Sequence, residues 1–379
     1  MSTTERPPLF DLIEEAQRVL SICNACRYCE GYCAVFPALQ RRLAFNARDV
    51  HYLANLCHNC GSCLHACQYA PPHAFQVDFP RLLAQVRKET YRQYAWPRAL
   101  AGAFEHNGTV VAIASLASVT ALLLFTAWYA DPARLFTAHS DAAGSFYAVL
   151  PHGVMTALFG AVAAFVVVAL IAALTRFWKD TGENMGARVR ASPVAHATWD
   201  ASALTYLDGG GDGCTFPRGR PSFARRNFHH LTFYGFTLCF AATVVATVYH
   251  YGFGWIAPYP FFSVPVVLGT VGGVALVVGT AGLLSLKLSP NAEVSDASQV
   301  GMDVGFLLLL LATSVTGLML LALRETRAMG VLLALHLGAV LALFLTIPYG
   351  KFVHAVYRFA ALVRFHVERR VPVAEIRPE

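Results

Sequence analysis

Charged residues are scarce in this sequence. Asp, Glu, Lys and Arg make up 14% of its 379 residues, against roughly 25% in ordinary soluble domains. Hydrophobic residues reach 56%. This composition excludes intrinsic disorder, collagen-like fibres and a secreted disulfide scaffold. It indicates an integral membrane protein that carries a smaller soluble part.

Two common sequence signals are also absent. The stretch from Met1 to Pro8 has no apolar core, so no secretory signal is expected. No G-x-G-x-x-G motif opens a strand–turn–helix unit, so a dinucleotide-binding domain is not expected. The glycine-rich segment 208–214 lacks that context. It is interpreted as a flexible loop, with a docking surface or a loop near a quinone site as the alternative.

Long apolar runs occupy most of the chain after the first hundred residues. Each is about 20 residues or longer, which is enough to cross roughly 30 Å of hydrocarbon. We number them span one to span six: Thr109–Ala130, Tyr147–Leu174, Leu231–Tyr251, Phe261–Leu286, Val304–Leu323 and Met329–Tyr349. The sequence therefore predicts an all-α protein, with residues 101–379 forming a six-helix transmembrane bundle.

The positive charges lie mostly on one side of these spans. Of 29 Lys and Arg residues, only Arg134, Arg324 and Arg327 fall in the loops on the other side. Because Lys and Arg concentrate in cytoplasmic loops, both termini and the cysteine-rich region are predicted to face the cytoplasm. The net charge of +6 then reflects topology in the inner membrane, and a nucleic-acid partner is not expected.

Eight of the ten cysteines form two copies of one motif. Both copies follow C-x2-C-x2-C-x3-C, the run that binds [4Fe–4S] clusters, and the fourth cysteine usually ligates the other cluster. One cluster is therefore predicted on Cys23, Cys26, Cys29 and Cys67, and the other on Cys57, Cys60, Cys63 and Cys33. Structural zinc prefers separated cysteine pairs, and disulfides are disfavoured in the cytoplasm. Cys214 and Cys239 are expected to be a plain loop residue and a packed helix residue.

The sequence around these cysteines has a helical pattern. Apolar residues recur with a helical period over Leu9–Ile22, and Asn46 can cap a second helix together with Asp49. We expect residues 1–100 to form an α-helical, ferredoxin-like module with two clusters. Such a module carries electrons and has no substrate-converting site of its own, so no catalytic residue is predicted.

Histidines at the ends of two spans are the second group of candidate ligands. Histidine is costly in hydrocarbon and marks functional sites there. His229, His230 and His250 lie in or next to span three, and His336 and His354 in or next to span six. His336 and His354 are 18 residues apart, so on one continuous helix they share a face, and Pro348 could kink that helix between them. Since spans three and six run antiparallel, His229 or His230 would lie with His354 at the inner side, and His250 with His336 toward the outer side. These pairs could hold one or two b-type haems, one in each leaflet.

Several alternatives stay open for the histidines. His229 lies 21 residues before His250 and suits a common face better than His230, which lies 20 before it. His106 and His152 could substitute for one of these ligands. Alternatively, the histidines could be interfacial residues with ordinary hydrogen bonds. Because no C-x-x-C-H motif occurs, any haem would be bound without covalent attachment.

Three segments resemble the tricarballylate utilization protein B (TcuB/CitB) family. They are residues 23–37, 57–73 and 229–236, and the resemblance extends over essentially the whole chain. It implies two [4Fe–4S] clusters, b-type haem, and reoxidation of the FAD of a partner dehydrogenase (TcuA-like). Electrons would then pass to the membrane quinone pool. Because this chain shows no flavin-binding fingerprint, that flavoprotein would be a separate chain. The span-six histidines also resemble the haem helix of nitrate reductase gamma-type subunits.

The resemblance leaves other functions to be weighed. The partner could be a cobalamin-pathway, citrate-type or hydrodisulfide-type protein, or the chain could be an iron–sulfur membrane anchor without haem. A secondary transporter is disfavoured because the spans are nearly free of charge. Trp96, Trp255 and Tyr259 lie at span boundaries, where an aromatic belt explains them equally well. No quinone ligand is therefore predicted.

Overall fold

The computed structural model describes residues 9–129, 135–138, 144–182, 189–215, 217, 219–288 and 296–371. Within these ranges the regular elements are helices, apart from one isolated antiparallel bridge between Cys214 and Ser222. The all-α prediction is therefore confirmed. The α-helices that the structure describes are numbered α1 to α14 below.

The cysteine-rich part contains five of these helices. They are α1 (Leu9–Cys26), α2 (Val35–Leu39), α3 (Ala47–Leu56), α4 (Ser62–His65) and α5 (Phe79–Tyr94). α3 begins where the sequence predicts it. The Asn46 side chain accepts the backbone N–H of Asp49 at 2.9 Å, and the Asp49 carboxylate accepts the N–H of Asn46. This reciprocal cap satisfies two of the free donors at the helix N-terminus.

Six helices are long and apolar enough to cross a membrane, which confirms the predicted multi-pass bundle. They are α6 (Asn107–Tyr129), α8 (His152–Thr181), α10 (Ala224–Phe253), α11 (Val264–Lys287), α12 (Val300–Ala322) and α13 (Met329–Thr346). The first residues of predicted span two form a separate short helix, α7 (Ser145–Val149), because Pro151 interrupts the run. Ala130, at the end of predicted span one, and Arg134 lie outside the described residues.

The sixth span ends earlier than the histidine argument requires. α13 ends at Thr346 and is followed by a 3-10 turn over Ile347–Tyr349. Gly350 is then extended, and a new helix, α14 (Val353–Glu368), begins. Pro348 lies in this turn, where its missing N–H and fixed φ favour an interruption. The prediction that His336 and His354 share one face of a continuous helix is therefore wrong.

α14 returns to the cysteine-rich part and completes its core. Apolar side chains of α1, α3 and α5 enclose Ala361, Leu362 and Phe365 of α14, together with Ala197 of α9 (Ala191–Ala203). The predicted boundary near residue 100 separates the cysteine-rich sequence from the apolar sequence. The hydrophobic core, however, contains residues from both sides of that boundary. The membrane bundle and the module are tied together at this point.

A buried ionic network fastens the same junction. Arg42 of the module donates to the carboxylates of Asp49 at 2.6 Å and Glu368 at 2.5 Å. Arg364, one turn before Glu368, donates to the same carboxylate at 2.8 Å. Buried charges are tolerated when each one is paired in this way. The network therefore fixes the orientation of α14 against α3.

Glycines of α11 bring α10 unusually close. A Cβ on Gly272 would lie 2.8 Å from the Gly235 carbonyl oxygen, and one on Gly279 would lie 2.6 Å from the Thr232 nitrogen. Small residues at such positions let membrane helices approach closely. This contact fixes α10, which carries three of the candidate histidines.

Candidate metal and haem centres

Four cysteines from both motif copies surround one cavity. Cys23, Cys26 and Cys29 of the first copy and Cys67 of the second line a space of about 260 Å³. The remaining walls are apolar and include Ile22, Phe36 and Val77. The structure therefore brings together the four residues that the motif pattern groups.

The other four cysteines surround a second, tighter cavity. Cys57, Cys60 and Cys63 line it together with Cys33, and Phe36, Phe79 and Pro80 form part of its walls. Each cavity thus takes three cysteines from one motif copy and the fourth cysteine from the other. This exchange is the arrangement expected of a two-cluster ferredoxin module. Ligation itself stays a prediction.

The spacing of the sulfurs bears on which metal would fit. In the part of the chain that the structure describes, no three Cys, His, Asp or Glu side chains converge closely enough to hold a single metal ion. A tetrahedral zinc ion would hold its sulfur ligands about 3.8 Å apart. Cysteines spread around a cavity fit the larger cube of a [4Fe–4S] cluster better.

Four of the eight thiols that line these cavities favour their neutral form, whereas the neighbouring Cys214 lowers the pKa of Cys60 to about 6. Burial, followed by the proximity of other thiols, raises the pKa of Cys23 and of Cys29 to about 12. The same causes raise the pKa of Cys33 and Cys63. Four thiolates are unfavourable in such a place unless a positive group compensates them. The irons of a cluster supply that charge.

The two cavities differ in their exposure to solvent. Tyr28 borders the first cavity and is 69% exposed. At the second cavity, Cys57 and Cys60 are only 6% and 8% exposed. The first cavity therefore has a strongly exposed residue at its rim, whereas two cysteines of the second cavity are nearly buried.

Two of the predicted histidines meet at the end of the bundle that adjoins the cysteine-rich part, and we call them the inner pair. The rings of His229 on α10 and His354 on α14 lie edge to face, with centroids 6.2 Å apart. Nδ1 of His354 donates to the Lys351 carbonyl, so Nε2 is left for a metal. Nδ1 of His229 is buried without a partner. Burial, then the charges of Arg358 and Lys351, lowers the pKa of His354 and keeps its ring neutral.

An arginine pair joins this histidine pair to the second cysteine cavity. Arg225 lies one turn before the first of the two histidines and donates to the carbonyls of Asn59 at 2.6 Å and His58 at 3.2 Å. Arg358 lies one turn after the second histidine and donates to the Cys57 carbonyl at 2.7 Å. The loop that carries Cys57 is therefore held directly over the inner histidines.

His58 occupies the space between these groups. Its ring is buried, and its Nδ1 has no hydrogen-bond partner. Burial lowers its pKa well below the usual range, and the neighbouring Arg358, Arg225 and Arg87 add to this effect. The sequence analysis overlooked His58, Arg225 and Arg358. The sequence did offer a signal for each. His58 directly follows Cys57, and Arg225 and Arg358 each lie one turn from a candidate histidine.

The outer histidine pair differs from the expected one. His250 at the end of α10 stacks on His152 at the start of α8, with centroids 4.0 Å apart and an interplanar angle of 19°. The Tyr147 ring lies edge-on to both, and Nδ1 of His250 is buried without a partner. His250 therefore pairs with His152, which was only a substitute in the sequence analysis, and not with His336.

His336 lies instead against α12. Its Nδ1 lies 3.1 Å from the Thr313 carbonyl oxygen and 3.2 Å from the Thr316 hydroxyl oxygen. A Cβ on Gly317 would come within 2.9 Å of its ring, so this contact requires a glycine. Nδ1 of the His336 ring thus has ordinary hydrogen-bond partners, and these contacts do not involve Nε2. His230 contacts Tyr234 and is not part of the inner pair, and His106 is exposed at the start of α6.

The two remaining cysteines have different surroundings. Cys239 packs against α11, with its sulfur 3.9 Å from the Gly269 carbonyl oxygen, as expected of a packed helix residue. Cys214 is not a plain loop residue, because it is buried in contact with Cys60. No local pattern in the sequence indicates this contact between distant segments.

Comparison with known proteins finds matching family models and a similar protein. The family model described as "Citrate utilization protein B" matches residues 106–375, and the model described as "Citrate utilization protein B Fer4-like domain" matches residues 16–95. The Escherichia coli protein "Citrate utilization protein B" is 52% identical over 357 residues, which cover 94% of this chain and 92% of that protein. No solved structure matches the chain significantly.

Proposed function

Because the chain belongs to the citrate utilization protein B family, we propose that it carries electrons from the reduced FAD of a partner dehydrogenase to the membrane quinone pool. The carriers would be two [4Fe–4S] clusters and b-type haem. The Fer4-like domain and the six candidate spans support iron–sulfur electron transfer at a membrane. The partner, the haem and the quinone go beyond those findings.

The observation that carries the proposal is the contact between the second cysteine cavity and the inner histidine pair. Arg225 and Arg358 each bind the Cys57–Asn59 backbone and each lie one turn from a histidine of that pair. A module that only anchored clusters to a membrane would not need this connection. The contact favours electron transfer to haem over a haem-free iron–sulfur anchor.

The difference in exposure suggests the direction of electron flow. The first cavity opens near the exposed Tyr28, where a partner's flavin can approach. The second cavity has the more deeply buried Cys57 and Cys60, and Arg358 connects it to the inner histidines. A donor would therefore meet Cys23, Cys26, Cys29 and Cys67 first.

The residues present fit a haem at the inner end of α10, where the rings of His229 and His354 lie 6.2 Å apart. At the outer end, His152 and His250 are stacked 4.0 Å apart and would have to separate to hold a haem between them. His229 and His250 each have a buried Nδ1 without a partner, which agrees with rings that have a task other than local hydrogen bonding. When bound, clusters and haem supply one-electron carriers, which divide the two-electron oxidation of a flavin into single steps.

The protein's own contribution is orientation and exclusion of water. Backbone contacts of the arginine pair fix the distance between the second cavity and the inner histidines. Apolar walls such as Phe36 and Phe79 limit solvent access to that cavity. Both effects influence the potential and the rate of a buried redox centre.

Three further parts of the proposal concern location and partner. Residues 1–100 form the cytoplasmic two-cluster part, and residues 101–379 form the inner-membrane part with both termini in the cytoplasm. The distribution of Lys and Arg supports this orientation. The matching family model and the Escherichia coli relative are named for citrate utilization. The family resemblance implies a tricarballylate dehydrogenase-like flavoprotein as the partner.

A reconstituted transfer assay tests the function. The full chain is placed in liposomes with a ubiquinone analogue and mixed with the FAD-containing dehydrogenase and either tricarballylate or citrate. We expect quinol to form only when all components are present, and Cys60→Ala to abolish its formation. Quinol formation that persists without the chain would contradict the proposal. If quinol forms with neither acid but does form with a cobalamin-pathway flavoprotein, the chain is the same electron carrier with a different partner.

A further inference from the structure

Cys214 lies beside a cysteine of the second cavity. It is 1% exposed and forms a small buried cluster with Cys60, Leu204 and Leu207. The cluster brings the Cys214 side chain into contact with that of Cys60. The contact is therefore with one of the four sulfurs that line the cavity.

The glycine-rich segment 208–213 delivers Cys214 to this position. Gly209 has a φ of +65°, and a Cβ there would lie 2.1 Å from the Gly213 carbonyl oxygen and 2.5 Å from the Ser62 hydroxyl oxygen. Gly213 has a φ of +98°, which also favours glycine. The backbones of Cys214 and Ser222 then exchange two hydrogen bonds of 3.0 Å. The interpretation of this segment as a flexible loop is thus wrong, because it packs tightly around α4.

A second contact joins this segment to the cysteine motif. The Ser62 hydroxyl donates to the Gly213 carbonyl at 3.3 Å, and the Cys60 sulfur lies 3.7 Å from the same hydroxyl oxygen. Cys60 therefore has two polar neighbours, the thiol of Cys214 and the hydroxyl of Ser62. Both are fixed by the segment between α9 and α10.

We propose that Cys214 is a positioning residue for the second cluster, and that its thiol donates a hydrogen bond to the Cys60 thiolate and raises the reduction potential of that cluster. This inference rests on the proposed function only in requiring that the cluster is present. The sulfur of Cys214 lies 3.5 Å from the Leu207 carbonyl oxygen and contacts the Cys60 side chain, so its hydrogen has two candidate acceptors. A thiolate is the stronger acceptor because it is charged. Cys214 keeps its proton and ligates no iron.

The sign of the effect follows from charge. Reduction adds one electron to the cluster and makes its cysteine sulfurs more negative. The hydrogen bond from Cys214 is therefore stronger in the reduced state, so it favours reduction. Removing the donor should make the midpoint potential more negative. A higher potential at the buried cluster also favours electron transfer to it from the exposed one.

The test is a potentiometric titration of the purified full chain, followed by electron paramagnetic resonance, with iron counted per chain. Cys214→Ala and Cys214→Val remove the donor, and the valine fills the space. Cys214→Ser keeps an O–H donor, and Cys239→Ala is the matched control. We expect both donor-free variants to retain the wild-type iron content and to shift one of the two clusters to a more negative potential. The serine variant and the control should stay close to wild type.

Two results would overturn the inference. Donor-free variants with full iron and unchanged potentials would show that the hydrogen bond has no influence. Loss of about four irons in Cys214→Ala and Cys214→Val, with retention in the control, would show that Cys214 is a ligand or an essential structural residue. A wild-type chain without iron would instead contradict the proposed function, so the two failures are distinguishable.

Discussion

Arg358 of α14 donates a hydrogen bond of 2.7 Å to the carbonyl of Cys57, a residue that lines the second cysteine cavity. Since Arg358 lies one turn beyond His354, a single helix contacts both the cavity loop and the inner histidine pair. Arg225 of α10 likewise contacts the cavity loop, by donating to the Asn59 carbonyl, and lies one turn before His229. These contacts make the cavity and the histidines one structural unit, from which the predictions below follow.

The arginine pair should control electron transfer between the module and the membrane part. Arg225→Gln and Arg358→Gln each remove a charged donor, and such bonds contribute about 1.5–3 kcal/mol. We expect normal iron and haem contents, but slower reduction of haem by about tenfold, the factor that corresponds to about 1.4 kcal/mol. Stopped-flow absorbance after mixing with the reduced partner measures this rate.

Arg176 offers a matched control for that experiment. It also donates to a backbone carbonyl, that of Ala95, at 2.6 Å, but away from the cysteine cavities. Arg176→Gln should leave the rate of haem reduction unchanged. If it slowed the reaction as much as Arg358→Gln, the effect would be a general loss of packing and the specific role of the arginine pair would be wrong.

The inner pair should hold one haem. His229→Ala or His354→Ala removes one of two facing imidazoles and is expected to lower the haem content by one per chain, with the iron–sulfur clusters retained. The pyridine haemochrome assay measures the content. His230→Ala is the neighbouring control and should keep all haem, because its ring contacts Tyr234 instead. Equal losses in the three variants would contradict this pairing.

Two substitutions determine which histidine pairs with His250 at the outer end of the bundle. The stacking of His152 on His250 predicts that His152→Ala loses the outer haem and that His336→Ala keeps it. His336 already donates to Thr313 and lies against α12, so its loss should affect packing only. A haem content that falls in His336→Ala and is normal in His152→Ala would restore the pairing expected from the sequence.

The buried carboxylate of Glu368 should stabilise the junction of α14 with the module. Burial opposes its ionisation, but Arg42 and Arg364 outweigh this and lower its pKa. Because the folded-state pKa is lowered, this stabilisation is present above the pKa of an unfolded glutamate and is lost as the pH falls through the folded-state value. Glu368→Ala leaves Arg42 without this partner and should cost about 3–5 kcal/mol in free energy of unfolding.

Guanidinium unfolding of the detergent-solubilised chain, followed through the iron–sulfur absorbance, measures this loss. Glu15→Ala is the control, since Glu15 pairs with Arg18 at the surface and should change stability by less than about 1 kcal/mol. A Glu368→Ala chain as stable as the control would show that the network does not hold α14 in place.

The sequence predicted those features that depend on local patterns. The two cysteine motifs led to the grouping of Cys33 with Cys57, Cys60 and Cys63, because the exchange of the fourth cysteine is a property of the motif itself. The Asn46 cap and the six spans were likewise visible in short segments. Each of these features depends on residues close together in the chain or on a known motif.

Features that join distant segments were not predicted. The stacking of His152 on His250 depends on how α8 and α10 converge, which no periodicity reports. The contact of Cys214 with Cys60 depends on the turn that Gly209 and Gly213 permit. The break after α13 did have a signal. Pro348 and Gly350 both disfavour a helix interior, and they lie two positions apart. The continuous-helix argument gave that signal too little weight.

The most direct test of the central claim is the dithionite-reduced minus oxidised optical spectrum of the purified chain, with iron and haem counted per chain. Two clusters and haem on the paired histidines predict a b-type α-band and about eight iron atoms per chain in addition to the haem iron. About eight iron atoms without haem would contradict the histidine sites and leave an iron–sulfur membrane anchor. A chain without iron would contradict electron transfer through the cysteine cavities altogether.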